Sequence, residues 1–391
     1  MTIAAIPSGW TENPLGKVAD VVRDSVLPHN IVPGTSYVGL EHIDGEGRFV
    51  GVQPVANGEL ASNKFSFSDQ HILYGKLRPY LKKIARPSFS GVCSTDILPL
   101  RPLDEVDRGY LFHYLRQQHL IDLATTRSTG ANLPRLSPKQ LEVFPVAYPP
   151  LPEQRRIAAI LDKADAIRRK REEGIRLTEE LLRSTFLEMF GDPATNPKGW
   201  SVNSMNRIAK ITGGFAFKSE WFADEGDRVI RISDIGDGKV DLSNAVSVDC
   251  DSYRISTAYQ CVTDDILMAL SGATTGKLGM VTDAESGSFV NQRIAIIRAN
   301  NRVASPWLSQ LLSNKRVLSL LLESAGGSAQ ANLSTKSLES LDIPVPPDNV
   351  LFEYAEVVKS ANRAQSRRRI GSKDADNLFN SLVQRAFRGE L

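Results

Sequence analysis

Cysteine is scarce in this chain. Cys93, Cys250 and Cys261 are the three in 391 residues, an odd number without CxxC spacing. That excludes a disulfide frame and a cysteine-type zinc site, and leaves buried free thiols as the expected role. The five histidines form no HExxH or other paired-ligand arrangement, so no metal is expected. No apolar run reaches the roughly 18 residues a membrane span needs. The N-terminus, MTIAAIPSGW, lacks a basic region followed by an apolar core, so export is not supported and the cytoplasm is the expected location. Charge of one sign is also missing. A net +2 does not announce nucleic-acid binding by itself, because phosphate neutralisation needs a local basic surface.

Catalytic signatures are absent as well. GATTGK (272–277) approaches a phosphate-binding P-loop, but it is one residue short between the glycines, and Leu278 stands where Ser or Thr must hold the metal. There is no NPPY-type methyltransferase motif, GxGxxG loop, GxSxG elbow or PD...ExK nuclease constellation. Acidic pairs fall on helical segments, where i to i+4 salt bridging accounts for them. Chemistry is therefore expected on another chain, and no cofactor on this one. The enzyme alternative, a single-chain nuclease or methyltransferase, would need motifs that are not there.

What is present is size, a core and a repeat. With 41% hydrophobic residues the chain is long enough for two or three domains. A shift of 197 places Gly130 on Gly327, Leu136-Ser137 on Leu333-Ser334, Lys139 on Lys336, Leu141-Glu142 on Leu338-Glu339, and Pro149-Pro150 on Pro346-Pro347. The register continues with Ala158 on Ala355, Ala164 on Ala361, Leu181 on Leu378, Ser184 on Ser381 and Phe190 on Phe387. A shift of 190 aligns Gly9-Trp10 with Gly199-Trp200, Asn13 with Asn203, and Ala19 with Ala209. The order is globular unit, helix, globular unit, helix, with boundaries at 1–150, 151–191, 192–347 and 348–391.

PLPEQRRIAAILDKADAIRRKREE (150–173) opens the first helix. Pro152 suits the first turn and Glu153 the positive end of the macrodipole, and Phe190-Gly191-Asp192-Pro193 supplies the stop. Ile157, Ile160, Leu161, Ala164, Ile167, Leu177, Leu181, Leu182, Phe186 and Met189 recur at three- and four-residue steps, one apolar stripe on a charged rod. Such a rod is roughly 55 to 60 Å long at 1.5 Å per residue. The second begins at Asp348 or Asn349 and ends at Gly389. It carries Tyr354, Val357, Val358, Ala361, Leu378, Phe379, Leu382, Val383, Ala386 and Phe387.

Two rods that each expose a stripe can pair as a coiled coil. Antiparallel pairing puts one globular unit at each end, parallel pairing puts both at one end, and the bland alternative packs each helix on its own domain. Gly174 and Gly371, 197 apart, predict a matched helix irregularity. The runs Arg168–Arg171 and Arg367–Arg369 would meet near a two-fold axis of an antiparallel pair, where like charges repel unless an anion lies alongside.

In the globular units, YVGLEHID (37–44), DILPLRP (96–102), VIRISDIG (229–236) and QRIAIIRA (292–299) read as strands, and 109–124 and 306–325 as one helix each. The fold class is α+β. Residues 71–95 hold Lys76, Arg78, Lys82, Lys83 and Arg86 without a carboxylate, interleaved with Tyr74 and Tyr80, the best local electrostatic footprint for phosphate and base contacts. The equivalent stretch 266–281 has Lys277 with small and hydroxyl residues, Ser271, Thr274 and Thr275 among them, and Gln292 and Arg293 follow. A Gly-rich loop can bind phosphate through backbone amides, and Ser, Thr and Gln can read base edges. A solvated basic face and a plain flexible loop are the competing readings.

The whole chain resembles the DNA-specificity (S) subunit of type I restriction-modification systems. PPLPEQRRIAAILDKADAIRRKR (149–171) is similar to the family's central helical region, GANLPRLSPKQLEVFPVAYPP (130–150) to its lead-in, and LFNSLVQRAFRGEL (378–391) to its C-terminal ending. TGGFAFKSEWF (212–222) and ISDIGDGKV (232–240) are similar to framework stretches of its target-recognition domains. PDNVLFEYAEVV (347–358) departs from the pattern, lacking the PEQ of the first joint.

The resemblance implies two target-recognition domains of mixed α/β structure, each binding half of a bipartite double-stranded DNA site. Two long antiparallel helices would set the gap and dock two methyltransferase (modification) subunits. Those subunits would carry S-adenosylmethionine, and ATP-driven restriction subunits would join them. Modules on one face of DNA should then sit about one turn apart, roughly 34 to 36 Å. A helical interaction scaffold without DNA affinity is the remaining alternative.

Overall fold

A computed structural model describes residues 6–56, 58–236, 238–324 and 332–391, without the side chains at 324, 367, 369, 370, 372 and 373. Gly327, Ala325 and the side chains of Arg367 and Arg369 thus lie outside the described residues. The chain forms two compact units, Met1–Glu172 with Ile370–Leu391, and Glu173–Arg369. Both long helices pass from one unit to the other.

In the first unit, Ile97–Pro102 runs between Ala19–Val21 and Ile72–Gly75, and Ile84–Ala85 completes an antiparallel sheet of four strands. A second sheet orders Ser25–Val26, Lys64–Phe67, Gly91–Cys93 and Ser36–Val38, the last pair parallel. Thr11–Pro14 pairs with Pro145–Tyr148. Helix α1 (Arg108–Leu115) starts at Asp107, whose carboxylate accepts the Tyr110 N–H at 2.9 Å. It is followed by α2 (Gln118–Thr126), α3 (Pro138–Glu142) and α4 (Leu151–Phe190). The repeated Leu-Ser pair now has a cause: Leu136 is a core residue and Ser137 caps α3, accepting the Gln140 N–H.

The second unit repeats the plan with a longer sheet. Ile294–Ala299 runs between Ala209–Gly213 and Ile266–Ala269, and Leu278–Met280, Gly238–Val240 and Ile235–Gly236 extend it. Val246–Val248, Asp227–Ile230 and Phe289–Val290 form a separate sheet, and Ser201–Ser204 pairs with Asp342–Val345. Its helices α5 (Ser305–Leu312), α6 (Lys315–Ser324), α7 (Thr335–Glu339) and α8 (Asp348–Ala386) each start 197 residues after their counterparts. Leu333 is buried and Ser334 caps α7, as in the first copy.

Two expectations change. The single helices expected at 109–124 and 306–325 are each two helices. At the second break the Asn314 amide oxygen accepts the Arg316 N–H at 2.9 Å and starts α6 afresh. At the first, the Arg116 guanidinium is drawn to the carbonyls of Ile84 and Gly45 (3.2 and 3.1 Å) and the chain turns. The strand expected at 37–44 stops at Val38, and the one expected at 229–236 is interrupted after Ile230 and resumes at Ile235–Gly236; a single 3-10 turn follows in each case. His42 Nδ1 accepts the Gly39 N–H and the Asp234 carboxylate the Arg231 N–H, so side chains satisfy the backbone where a ladder would have continued.

The helix halves run antiparallel within each unit. In the first, Ile157, Ala158 and Leu161 near the start of α4 pack in one core with Ala386, Leu382, Val383 and Phe387 at the end of α8. In the second, Phe186 and Phe190 near the end of α4 meet Tyr354 near the start of α8, with ring centroids 5.9 and 5.1 Å apart. The expected irregularity at the two glycines is absent, since both helices continue through them. The glycines instead make room for a facing arginine. Arg171 lies where a side chain on Gly371 would stand, and the Arg368 guanidinium donates to the Gly174 carbonyl at 3.0 Å and to Thr178 Oγ1 at 2.6 Å.

The missing PEQ also finds its reason. Gln154 is fully buried: its amide donates to the carbonyls of Glu105 and Pro149 (both 2.9 Å) and accepts the Asp107 N–H at 2.8 Å. The same position in the second copy is Leu351, buried in an apolar core. All three cysteines are buried and free, and burial pushes each thiol up to about 12.

Candidate nucleic-acid interface

The basic segment of the first unit divides into outward and inward groups. Its strand ends at Gly75, and a single 3-10 turn, Pro79–Leu81, crosses between Arg78 and Lys82. Both flanking residues are left-handed (φ 50° and 54°), a conformation that costs a non-glycine residue roughly 1–3 kcal/mol and gathers at functional loops. The Arg78 N–H donates to the Pro134 carbonyl at 2.8 Å and its guanidinium to Asn132 O at 3.3 Å, which joins this turn to the loop 130–135. Arg78 and Tyr80 are exposed, Lys82 half-exposed. Lys76 lies 4.0 Å from the Asp96 carboxylate, which Arg135 also grips.

Lys83 and Arg86 point inward. The Lys83 ammonium donates to the Leu40 carbonyl at 2.5 Å, and Arg86 pairs with Asp162 of α4 at 2.7 Å while its guanidinium lies 5.3 Å from the Phe112 ring. Lys83 ties its strand to the Leu40 turn, and Arg86 fastens the sheet to the helix. Arg86 belongs to an ionic bracket between the globular part and α4, in which Arg48 meets Glu172 and Arg168 meets Glu46 (both 2.5 Å). The same bracket takes in part of the Arg168–Arg171 run. Asp165 binds Arg168 and Arg169 (2.8 and 2.6 Å), and the Arg168 guanidinium stacks 5.0 Å from Phe379. Burial depresses the His113 pKa against the opposing pull of Asp162, 2.8 Å from its Nε2. Burial raises Asp162, but hydrogen bonds from His113 and Arg86 outweigh it and hold the carboxyl below its usual range.

In the second unit the equivalent loops converge. The Leu270 N–H donates to Arg293 O and Ala269 N–H to Lys277 O (both 2.9 Å), so 271–277 and 291–293 form one surface. Lys277, Gln292 and Arg293 are exposed on it; Ser271, Thr274 and Thr275 are half-buried. Gly272 has φ +80° and nothing within 4 Å of where a Cβ would sit, an open backbone that a ligand can approach. Leu333 N–H bonds Leu270 O as Leu136 N–H bonds Lys76 O, so in each unit the candidate loop leans on the chain just before the Leu-Ser cap.

Of the apolar helix residues, Ile157, Leu161, Ala164, Phe186 and Tyr354 are buried. Ile160, Val358, Ala361, Leu382 and Phe387 are half-buried. Ile167, Leu181, Val357 and Leu378 stand 37–57% exposed and contribute no core. Sequence reasoning passed over three features of these surfaces: Asn132 and Arg135 beside Arg78, the buried Gln154, and a stack of aromatic rings at Phe215, Trp221 and Tyr253. The first two lie inside motifs already quoted. The third is spread over 39 residues of chain and has no spacing to announce it.

Taken together, these features define a class: a duplicated, two-unit chain whose framework repeats while its exposed loops differ, carried on a shared antiparallel helix pair. The family described as type I restriction modification DNA specificity domain matches twice, over residues 57–177 and 197–358. The chain is 29% identical over 238 residues to the type I restriction enzyme EcoDI specificity subunit of Escherichia coli, covering 59% of this chain and 52% of that one, about half its length. It is 21% identical to the StySPI specificity subunit of Salmonella potsdam, over all of this chain and 91% of that one. The crystal structure of a type I restriction-modification S subunit from M. genitalium superposes with a TM-score of 0.66 over 99% of this chain and 98% of that one, at 14% identity. The chain belongs to the DNA specificity subunits of type I restriction-modification systems.

Proposed function

We propose that each unit reads one half of a bipartite DNA site, the first through Lys76, Arg78, Tyr80 and Lys82 with the neighbouring Asn132 and Arg135, the second through Ser271, Thr274, Thr275, Lys277, Gln292 and Arg293. The observation that carries this reading is the contrast within the repeat. Helix starts keep a 197-residue register to the residue, while the loops at matching places differ in charge, size and backbone geometry. A framework held constant under variable loops is how a scaffold supports different targets. The first loop is basic and strained, suited to phosphate and guanine; the second is small, hydroxylated and open, suited to close backbone approach.

The helix pair acts as the spacer between half-sites. Its exposed apolar residues Ile167, Leu181, Val357 and Leu378 face two methyltransferase (modification) subunits, to which restriction subunits add in a complete cytoplasmic complex. Lys83 and Arg86 serve the fold first. Replacing residues 1–150 by the corresponding unit of another specificity subunit, and mapping methylation in cells that supply the modification partner, tests the reading. One half of a split motif should change and the other stay. A change in both halves, or in neither, defeats the modular assignment.

A further inference from the structure

The second unit carries an aromatic ladder of three rings. Trp221 lies against Tyr253 with centroids 4.3 Å apart and planes 17° from parallel, and against Phe215 at 6.4 Å and 20°. Protein aromatic pairs often meet edge to face, and three rings kept nearly parallel form a platform of the kind that accepts a further flat ring. Tyr253 ends the stack and is 45% exposed. It is held rigidly: the Asp249 carboxylate takes the Ser252 N–H and hydroxyl (3.0 and 2.6 Å), and Arg254 is left-handed at φ 51°. The root of the ladder touches the candidate reading loop, since the Phe215 carbonyl accepts the Gln292 N–H at 2.8 Å.

The chemistry of the turn narrows what could stack there. Asp249 and Asp251 make it a poor phosphate site, and the Lys218 ammonium, 5.4 Å from the Trp221 ring, is partly answered by Glu220 at 3.6 Å. The flat, uncharged part of DNA is the base. Within a duplex both faces of a base are covered, so only a base that has left the stack can offer one.

We propose that the outer face of Tyr253 receives a DNA base that is unstacked when the second half-site is bound, making Tyr253 a specificity-positioning residue. This rests on the DNA-reading role of the second unit. Enzymes that modify a base must first extrude it, which supplies such a base, or an unpaired partner left behind.

The test uses the full chain assembled with its modification subunits and duplexes carrying 2-aminopurine at one position of the second half-site at a time. At one position the wild-type complex should hold the probe quenched, Tyr253→Phe should do the same, and Tyr253→Leu should leave it bright. Affinity for the cognate duplex should fall about five- to hundredfold in Tyr253→Leu and be restored in Tyr253→Phe. An unchanged probe profile and affinity in Tyr253→Leu, with wild-type discrimination intact, overturns the stacking role and leaves DNA reading standing. A wild-type complex that binds cognate and scrambled second half-sites alike overturns both.

Discussion

The division of one basic segment into outward and inward residues yields a quantitative prediction. Arg78 and Lys82 flank the strained turn and face solvent, whereas Lys83 and Arg86 spend their donors on Leu40 and Asp162. If Arg78 and Lys82 each neutralise one phosphate, the double variant Arg78→Ala, Lys82→Ala removes two released counterions. Each contributes about 0.9 to the slope of log affinity against log salt, so that slope should become shallower by ~1.8. Between 50 and 200 mM salt, a fourfold change, wild type should then lose ~12-fold more affinity than the variant, since 4 raised to 1.8 is ~12. The assay is titration of the cognate duplex by the assembled complex at several salt concentrations. Lys83→Ala and Arg86→Ala are the controls, expected to keep the wild-type slope and to unfold at lower denaturant. A slope unchanged in the double variant, or reduced equally in the controls, refutes the division.

Other outcomes follow from the packing. Phe186 is 2% exposed between Phe190 and Tyr354, so Phe186→Ala should cost the second unit about 3–5 kcal/mol in urea unfolding, with the first unit's transition unmoved. Gln154→Leu, which copies the second joint into the first, strands the Asp107 N–H and two carbonyls; the orphaned N–H alone should cost about 1–3 kcal/mol. His113, depressed by burial, is harder to protonate in the folded state than in the unfolded chain, which takes up a proton below its ordinary value of about 6.5. Asp162, held low, loses its contribution in the same direction as pH falls. Acidification below about 6.5 should therefore weaken the first unit before the second, and His113→Phe should flatten that dependence in melts taken from pH 7.5 to 5.

Much of the architecture was legible in the chain. The 197-residue shift marked the helix starts, because a duplicated framework keeps its core and cap residues: Leu136 and Leu333 for the core, Ser137 and Ser334 for the caps. The stripes announced two long helices, since only a rod with a partner needs apolar residues at helical spacing over such a length. Less legible were the breaks at Arg116 and Asn314. There a distant carbonyl or a single amide side chain ends a helix that local periodicity would continue.

The sequence by itself determined the duplication and the two rods, for these depend on residues whose meaning is local: spacing, caps and motifs. Only tertiary structure decided which cations of 71–95 remain free, that Gly174 and Gly371 admit arginines instead of bending helices, and that Phe215, Trp221 and Tyr253 form one stack. Each depends on a partner far along the chain. A side chain's charge or ring is written in its own codon, but whether that group is spent on the fold or left for a ligand is settled by what packing brings beside it.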